Sequence, residues 1–188
     1  MRLAIMVAIG LLAGEAALAD PVTGKTAQGQ LFDPAKPEVV MAPANVLSAK
    51  DQKLLQSVLV GQPYFGAIAV SPDEGLASEA TVAAANHHTA EAATRAALDA
   101  CESKRKGKRP CAIVGTIRPE GWKPQALSLS SDATKGFRET YGSRGPRALA
   151  ISPSTGRWGL GKGEGAGKSA LAECAKSGAA DCILAVAD

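Results

Sequence analysis

His87 and His88 are the chain's two histidines, adjacent and just ahead of a helix expected to open at Thr89. A histidine near a carboxylate such as Glu79 or Glu91 is the pattern of a general base or a metal ligand, and so of a small hydrolase or metal-dependent enzyme. Two points weigh against it. Neighbouring residues on an extended strand point to opposite faces, and no third ligand is identifiable, so no metal site is assigned. Ser71 and Ser152 stand beside prolines at matching turn positions, where turn capping explains both better than nucleophilic attack. Neither a G-x-S-x-G elbow nor an H-E-x-x-H motif is present. No catalytic residue is assigned.

The run Gly161-Lys162-Gly163-Glu164-Gly165-Ala166-Gly167-Lys168-Ser169 ends as a phosphate-binding loop does. The motif requires glycine at position 162, however, and the chain has lysine there. A flexible hairpin leading into a helix accounts for the glycines, and no cofactor is expected. A second charged run, Lys104-Arg105-Lys106-Gly107-Lys108-Arg109, concentrates five cations in six residues. Exposed on a loop, Lys104, Arg105, Lys106, Lys108 and Arg109 form a binding surface for a polyanion such as lipopolysaccharide or an acidic glycan, or for another envelope protein. No aromatic residue is interleaved for base stacking, and the net charge is only +3, so nucleic acid is not expected as a partner. Trp122 and Trp158 are read as packing residues.

Residues 1–19 carry the marks of an export signal. Arg2 is a positive start, Leu3 to Leu12 an apolar core, and Ala17-Leu18-Ala19 a small-x-small cleavage pattern. The apolar run is too short to remain as a membrane span, so no transmembrane segment is expected after cleavage. The product is expected to be periplasmic or secreted, where cysteines are oxidised.

The elements that must position these groups occur twice. Ala67-Ile68-Ala69-Val70-Ser71-Pro72 returns as Ala148-Leu149-Ala150-Ile151-Ser152-Pro153, and Ala97-Leu98 with Cys101 returns as Ala170-Leu171 with Cys174. Each copy then opens an apolar run with a second cysteine, Cys111 and Cys182. Of the three possible pairings the repeat selects Cys101–Cys111 and Cys174–Cys182. Ser48 with Asp51 starts a helix with Leu54, Leu55, Val58 and Leu59 on its apolar side. Thr89 starts a second, with Ala90, Ala93, Ala97 and Cys101 on one face, and Ser130, Ser131 and Asp132 start a third, with Ala133, Phe137 and Tyr141 on one side. The unit reads helix, strand, strand, helix, strand, at about 46–119 and again at 126–188. The expected fold is α+β: two pseudo-symmetric α-β-β-α-β repeats in a single domain spanning 46–188, antiparallel sheet covered by helices about a shared core, one disulfide per repeat. Residues 20–45, rich in proline and polar residues, are expected to be a flexible N-terminal arm.

The Gly66-Ala67-Ile68-Ala69-Val70-Ser71 strand, the Ala97-Leu98-x-x-Cys101 helix end and the strand opened by Cys111 resemble a family of small exported bacterial domains whose function is not established. In the second copy Ser152-Pro153-Ser154-Thr155-Gly156-Arg157-Trp158-Gly159 is closer still to that family's strand-turn-tryptophan segment. The resemblance runs from about Tyr64 to the C-terminus and implies a structural unit rather than an activity. The combined expectation is an exported, non-enzymatic binding or structural module of the cell envelope, with an enzyme centred on His87 or His88 as the alternative.

Overall fold

The alternation Ala-Ile-Ala-Val at 67–70 and Ala-Leu-Ala-Ile at 148–151 places alanines on one face of a strand and large aliphatic residues on the other. The computed structural model shows what each face meets. It describes residues 20–43, 46–176 and 178–188; the export signal assigned to 1–19 lies outside them. In chain order the elements are α1 (Gly24–Gln30), β1 (Pro37–Met41), α2 (Ala49–Leu59), β2 (Gly66–Val70), β3 (Val82–Ala84), α3 (Ala90–Lys104), β4 (Ala112–Pro119), α4 (Ser131–Thr140), β5 (Arg147–Ile151), β6 (Trp158–Lys162), α5 (Ala166–Ala175) and β7 (Ile183–Ala187).

Four helices start where a hydroxyl can cap them. Thr23, Ser48, Thr89 and Ser130 each accept the backbone N–H three residues on, from Thr26, Asp51, Ala92 and Ala133, which satisfies a donor the helix itself cannot. The strands form two antiparallel sheets, ordered β1-β4-β2-β3 and β6-β5-β7. The α-β-β-α-β order occurs twice, and in each sheet the first strand of the unit lies between the other two. Each central strand also breaks register at the same step, between Ile68 and Ala69 against β4 and between Leu149 and Ala150 against β7.

Each sheet is covered on both faces. Ala67 and Ala69 meet Ala93, Ala97 and Cys101 of α3, while Ile68 and Val70 pack with Leu55 and Leu59 of α2. In the second sheet Ala148 and Ala150 meet Ala166, Ala170 and Cys174 of α5, and Leu149 and Ile151 pack with Ala133, Phe137 and Tyr141 of α4. Small-residue faces let α3 and α5 lie close to the backbone, and the disulfides Cys101–Cys111 and Cys174–Cys182 tie each of those helices to the next strand. The cores are thus built sheet by sheet, not as one core shared by both halves. Leu54 and Val58, expected on the packed side of α2, are exposed; the sheet covers only the Leu55–Leu59 edge of that helix.

Of the segment 20–45, expected as a flexible arm, the described residues 20–43 contain α1 and β1, held by apolar contacts that a local pattern does not display. Val22, Ala27 and Leu31 pack on the second half, whereas Phe32, Val39 and Met41 pack on the first. β1 pairs with β4 from Pro37 to Met41, and Val22 makes a parallel bridge to Val186 of β7. The segment therefore straps the two halves and covers an outer strand of each sheet. Among the described residues no helix is long and apolar enough to cross a membrane.

The glycines of β6 are spacers for α5. A Cβ at Gly161 would lie 2.0 Å from the Ala166 carbonyl oxygen, and one at Gly159 would lie 2.3 Å from that of Ala170. Gly161→Ala should therefore force helix and strand apart and cost about 1–3 kcal/mol or more. Urea unfolding reads this directly, and an unchanged midpoint would contradict the close approach.

Candidate functional site

Asn86, His87 and His88 follow β3 and meet the second half of the chain. The ring of His88 is 1% exposed. Its Nδ1 accepts the Ser130 backbone N–H at 3.0 Å, and its Nε2 donates to the Arg157 carbonyl oxygen at 2.9 Å. An amide can only donate and a carbonyl can only accept, so the ring is the neutral tautomer protonated on Nε2. Burial, ahead of every other influence, pushes its pKa down to about 4, opposed by the Arg157 carbonyl and by the charge of Asp181. His88 is thus a staple between the halves. Its one lone pair, on Nδ1, and its N–H, on Nε2, are both committed, leaving no free lone pair to hold a metal or take a substrate proton.

Further bonds reinforce the seam. The Asn86 side chain donates to the Asp132 carboxylate at 2.7 Å and accepts the Asp132 N–H at 3.1 Å, and Ser131 N–H donates to the Tyr64 carbonyl at 3.0 Å. The turn at Gly156 closes against Asn86, where a Cβ would stand 1.9 Å from the Asn86 carbonyl oxygen. His87 is half-buried, with Nδ1 lacking a protein partner. Desolvation lowers its pKa, with the Ser154 backbone opposing. Neither histidine hydrogen-bonds Glu79 or Glu91 among the described residues.

The matched serines are structural. Ser152 is buried and donates its hydroxyl to Asp181, while Thr155 Oγ1 lies 2.8 Å from Ser152 Oγ. Asp181 also accepts the Ser154 N–H at 2.8 Å. Burial works to raise the Asp181 pKa, but the Ser152 and Ser154 bonds outweigh it and the net shift is downward. In the first half the carbonyl of buried Ser71 accepts the N–H groups of Glu74 and Gly75.

The basic loop is clasped by acidic side chains. Glu74 accepts the N–H groups of Lys106 and Gly107 at 2.9 and 3.0 Å, and Asp73 those of Lys108 and Arg109 at 2.7 and 2.8 Å. Arg109 pairs with Asp73 and Arg105 with Glu102. The Arg109 backbone N–H, then its guanidinium, hold the Asp73 pKa down to about 2. Of the five cations singled out above, only Lys104, Lys106 and Lys108 are left exposed without an ion pair among the described residues. The second half makes the same turn-to-loop junction with the roles exchanged. Ser154 stands where Asp73 does and donates its amide, and the carboxylate, Asp181, lies on the loop before Cys182.

The glycine-lysine run closes the β6 end and opens α5, and three of its amides are spent inside the chain: Gly163 N–H on the Pro146 carbonyl, Ala166 on Gly163 and Ser169 on Gly165. Trp158 packs over Gly136 of α4, where a Cβ would lie 2.1 Å from the indole ring.

Trp122 is different. With Phe65, whose ring it meets edge-on at 6.2 Å, it lines a cleft of about 560 Å³ along the seam. Val22, Leu127, Ile151 and Ile183 supply apolar wall, and His88 and Glu91 also face it. The Trp122 Nε1 is buried without a hydrogen-bond partner. Sequence reasoning missed this cleft because its walls come from six separate segments. Among the described residues, no three metal-ligating side chains come together anywhere.

No protein-family model matches the chain, and no curated protein or solved structure matches it either.

The clasp predicts a local signature. In Asp73→Ala the amides of Lys108 and Arg109 should exchange hydrogen roughly tenfold faster or more, with β5–β7 unaffected. Unchanged protection of those two amides would mean that the loop is held some other way.

Proposed function

We propose that the chain is an extracytoplasmic, non-enzymatic binding module of the cell envelope, periplasmic or secreted, and that its ligand seat is the apolar cleft between its halves. One observation carries this reading: the seam offers a sizeable apolar cleft while the buried histidine and serine beside it are already bonded. His88 is bonded on both nitrogens, and Ser152 is bonded to Asp181. Binding sites are typically such clefts, apolar with few polar groups, and here the buried lining atom that has no hydrogen-bond partner among the described residues is Trp122 Nε1. The disulfide in each half suits an oxidising compartment. The exposed Lys104, Lys106 and Lys108 add a cationic contact for an anionic envelope component. The family resemblance seen in the sequence fits the same picture of a repeated, covalently braced unit.

Titration with Nile red, a neutral apolar dye, tests the seat. The dye should bind saturably at one site per chain at pH 7. Ala126→Trp, at an exposed position on the cleft wall, should abolish binding without altering the circular dichroism spectrum. Binding that survives Ala126→Trp, or hydrolysis of p-nitrophenyl esters that disappears in His87→Ala, would overturn the proposal.

A further inference from the structure

The cleft wall from Pro124 to Ser128 runs directly into Ser130. That wall is anchored at its midpoint by the Leu127 N–H on Gln30 Oε1, at 2.8 Å. Its end is anchored by the Ser130 N–H on His88 Nδ1. Another part of the lining, at Ile151 and Pro153, leads from the end of β5 into the turn whose Arg157 carbonyl accepts from His88 Nε2. One imidazole therefore sets the spacing of two cleft walls.

That ring cannot keep both bonds if it gains a proton. Protonation makes Nδ1 a donor, and it faces another donor, the Ser130 N–H, across 3.0 Å. The ring is also buried, which disfavours the charged form. The charged and titratable groups around it do not offset this. Asp181 favours the imidazolium, but its carboxylate is committed to Ser152 and Ser154. His87, on the same loop, opposes a second positive charge. Arg157 presents its carbonyl, Glu91 of α3 faces the cleft without bonding the ring, and Asp132 of α4 is bonded to Asn86.

We infer that the cleft is acid-gated: it holds an apolar ligand while His88 is neutral and releases it when His88 takes up a proton. This rests on the cleft being the ligand seat. The direction is fixed by linkage. The ring's pKa is lowered from 6.5 to about 4 in the closed seam, so a seam that opens and exposes it is favoured as pH falls through that window, by a total of roughly 300-fold. Above pH 6.5 the closed seam keeps its full advantage; below pH 4 that advantage is smaller by the whole of this factor.

Nile red titrations between pH 7 and pH 4 test the gate. Affinity for the wild-type chain should fall at least tenfold across that range. His88→Asn, which keeps an acceptor towards Ser130 but takes up no proton, should give a flat profile. If that variant does not fold, hydrogen exchange of the wild-type chain without dye, corrected for the intrinsic pH dependence, gives the same answer. The Ser130 amide should lose protection on acidification while amides of the β5–β6 ladder, which lies within one sheet, retain theirs. A flat wild-type profile with binding intact at pH 7 would overturn the gate and leave the ligand seat standing, whereas no binding at pH 7 would remove both. A Ser130 amide equally protected at both ends of the range would also overturn the gate.

Discussion

A neutral imidazole bonded on both nitrogens joins two halves that otherwise build their own cores. Each sheet carries its own pair of covering helices, and no hydrophobic cluster spans the seam. Besides the apolar strap of residues 20–43, what relates the halves directly is polar and directional: His88 to Ser130 and Arg157, Asn86 to Asp132, Ser131 to Tyr64. Buried polar bonds of this kind add modestly to net stability but cost much if left half-made. They therefore specify one relative placement of the halves and exclude others. The cleft exists because that placement leaves Phe65 and Trp122 opposite Ile151 and Ile183 with space between.

The interior of each half follows from economy of size. With aromatic residues only 4% of the chain, much of the packing depends on close approach of small side chains. Alanine on one side of β2 and β5 admits α3 and α5 almost to backbone contact, and Gly159 and Gly161 extend the same device to β6. Each disulfide then fixes the helix so placed, closing a short loop worth about 2–3 kcal/mol on chain-entropy grounds. The carboxylate clasps act at the neighbouring junction, from Asp73 and Glu74 in one half and from Asp181 in the other.

Much of this was legible in the sequence where the determinants are local or repeated. Ser48, Thr89 and Ser130 announce helix starts because a cap acts over three residues, and duplication singles out the cysteine pairing. The α+β class follows from the same repeat. Other features depend on contacts far apart in the chain. The basic run reads as free charge until Asp73 and Glu74, more than 30 residues upstream, are seen to hold its backbone. α1 contains two glycines and β1 begins with proline, so neither has a strong local signal; both are ordered by what they pack against. His88 carries no sequence mark that separates a buried staple from a surface residue or a ligand. Its role appears only when Ser130 and Arg157 are brought to it.

The most direct measurement is the protonation state of that ring. Long-range proton–nitrogen correlation spectra of histidine-labelled protein distinguish the two neutral tautomers and the imidazolium. The account predicts a His88 that carries its proton on Nε2 and remains neutral as the pH is lowered well below 6.5, the ordinary histidine value. A His88 protonated on Nδ1, or one that titrates as a solvent-exposed histidine does, would contradict it.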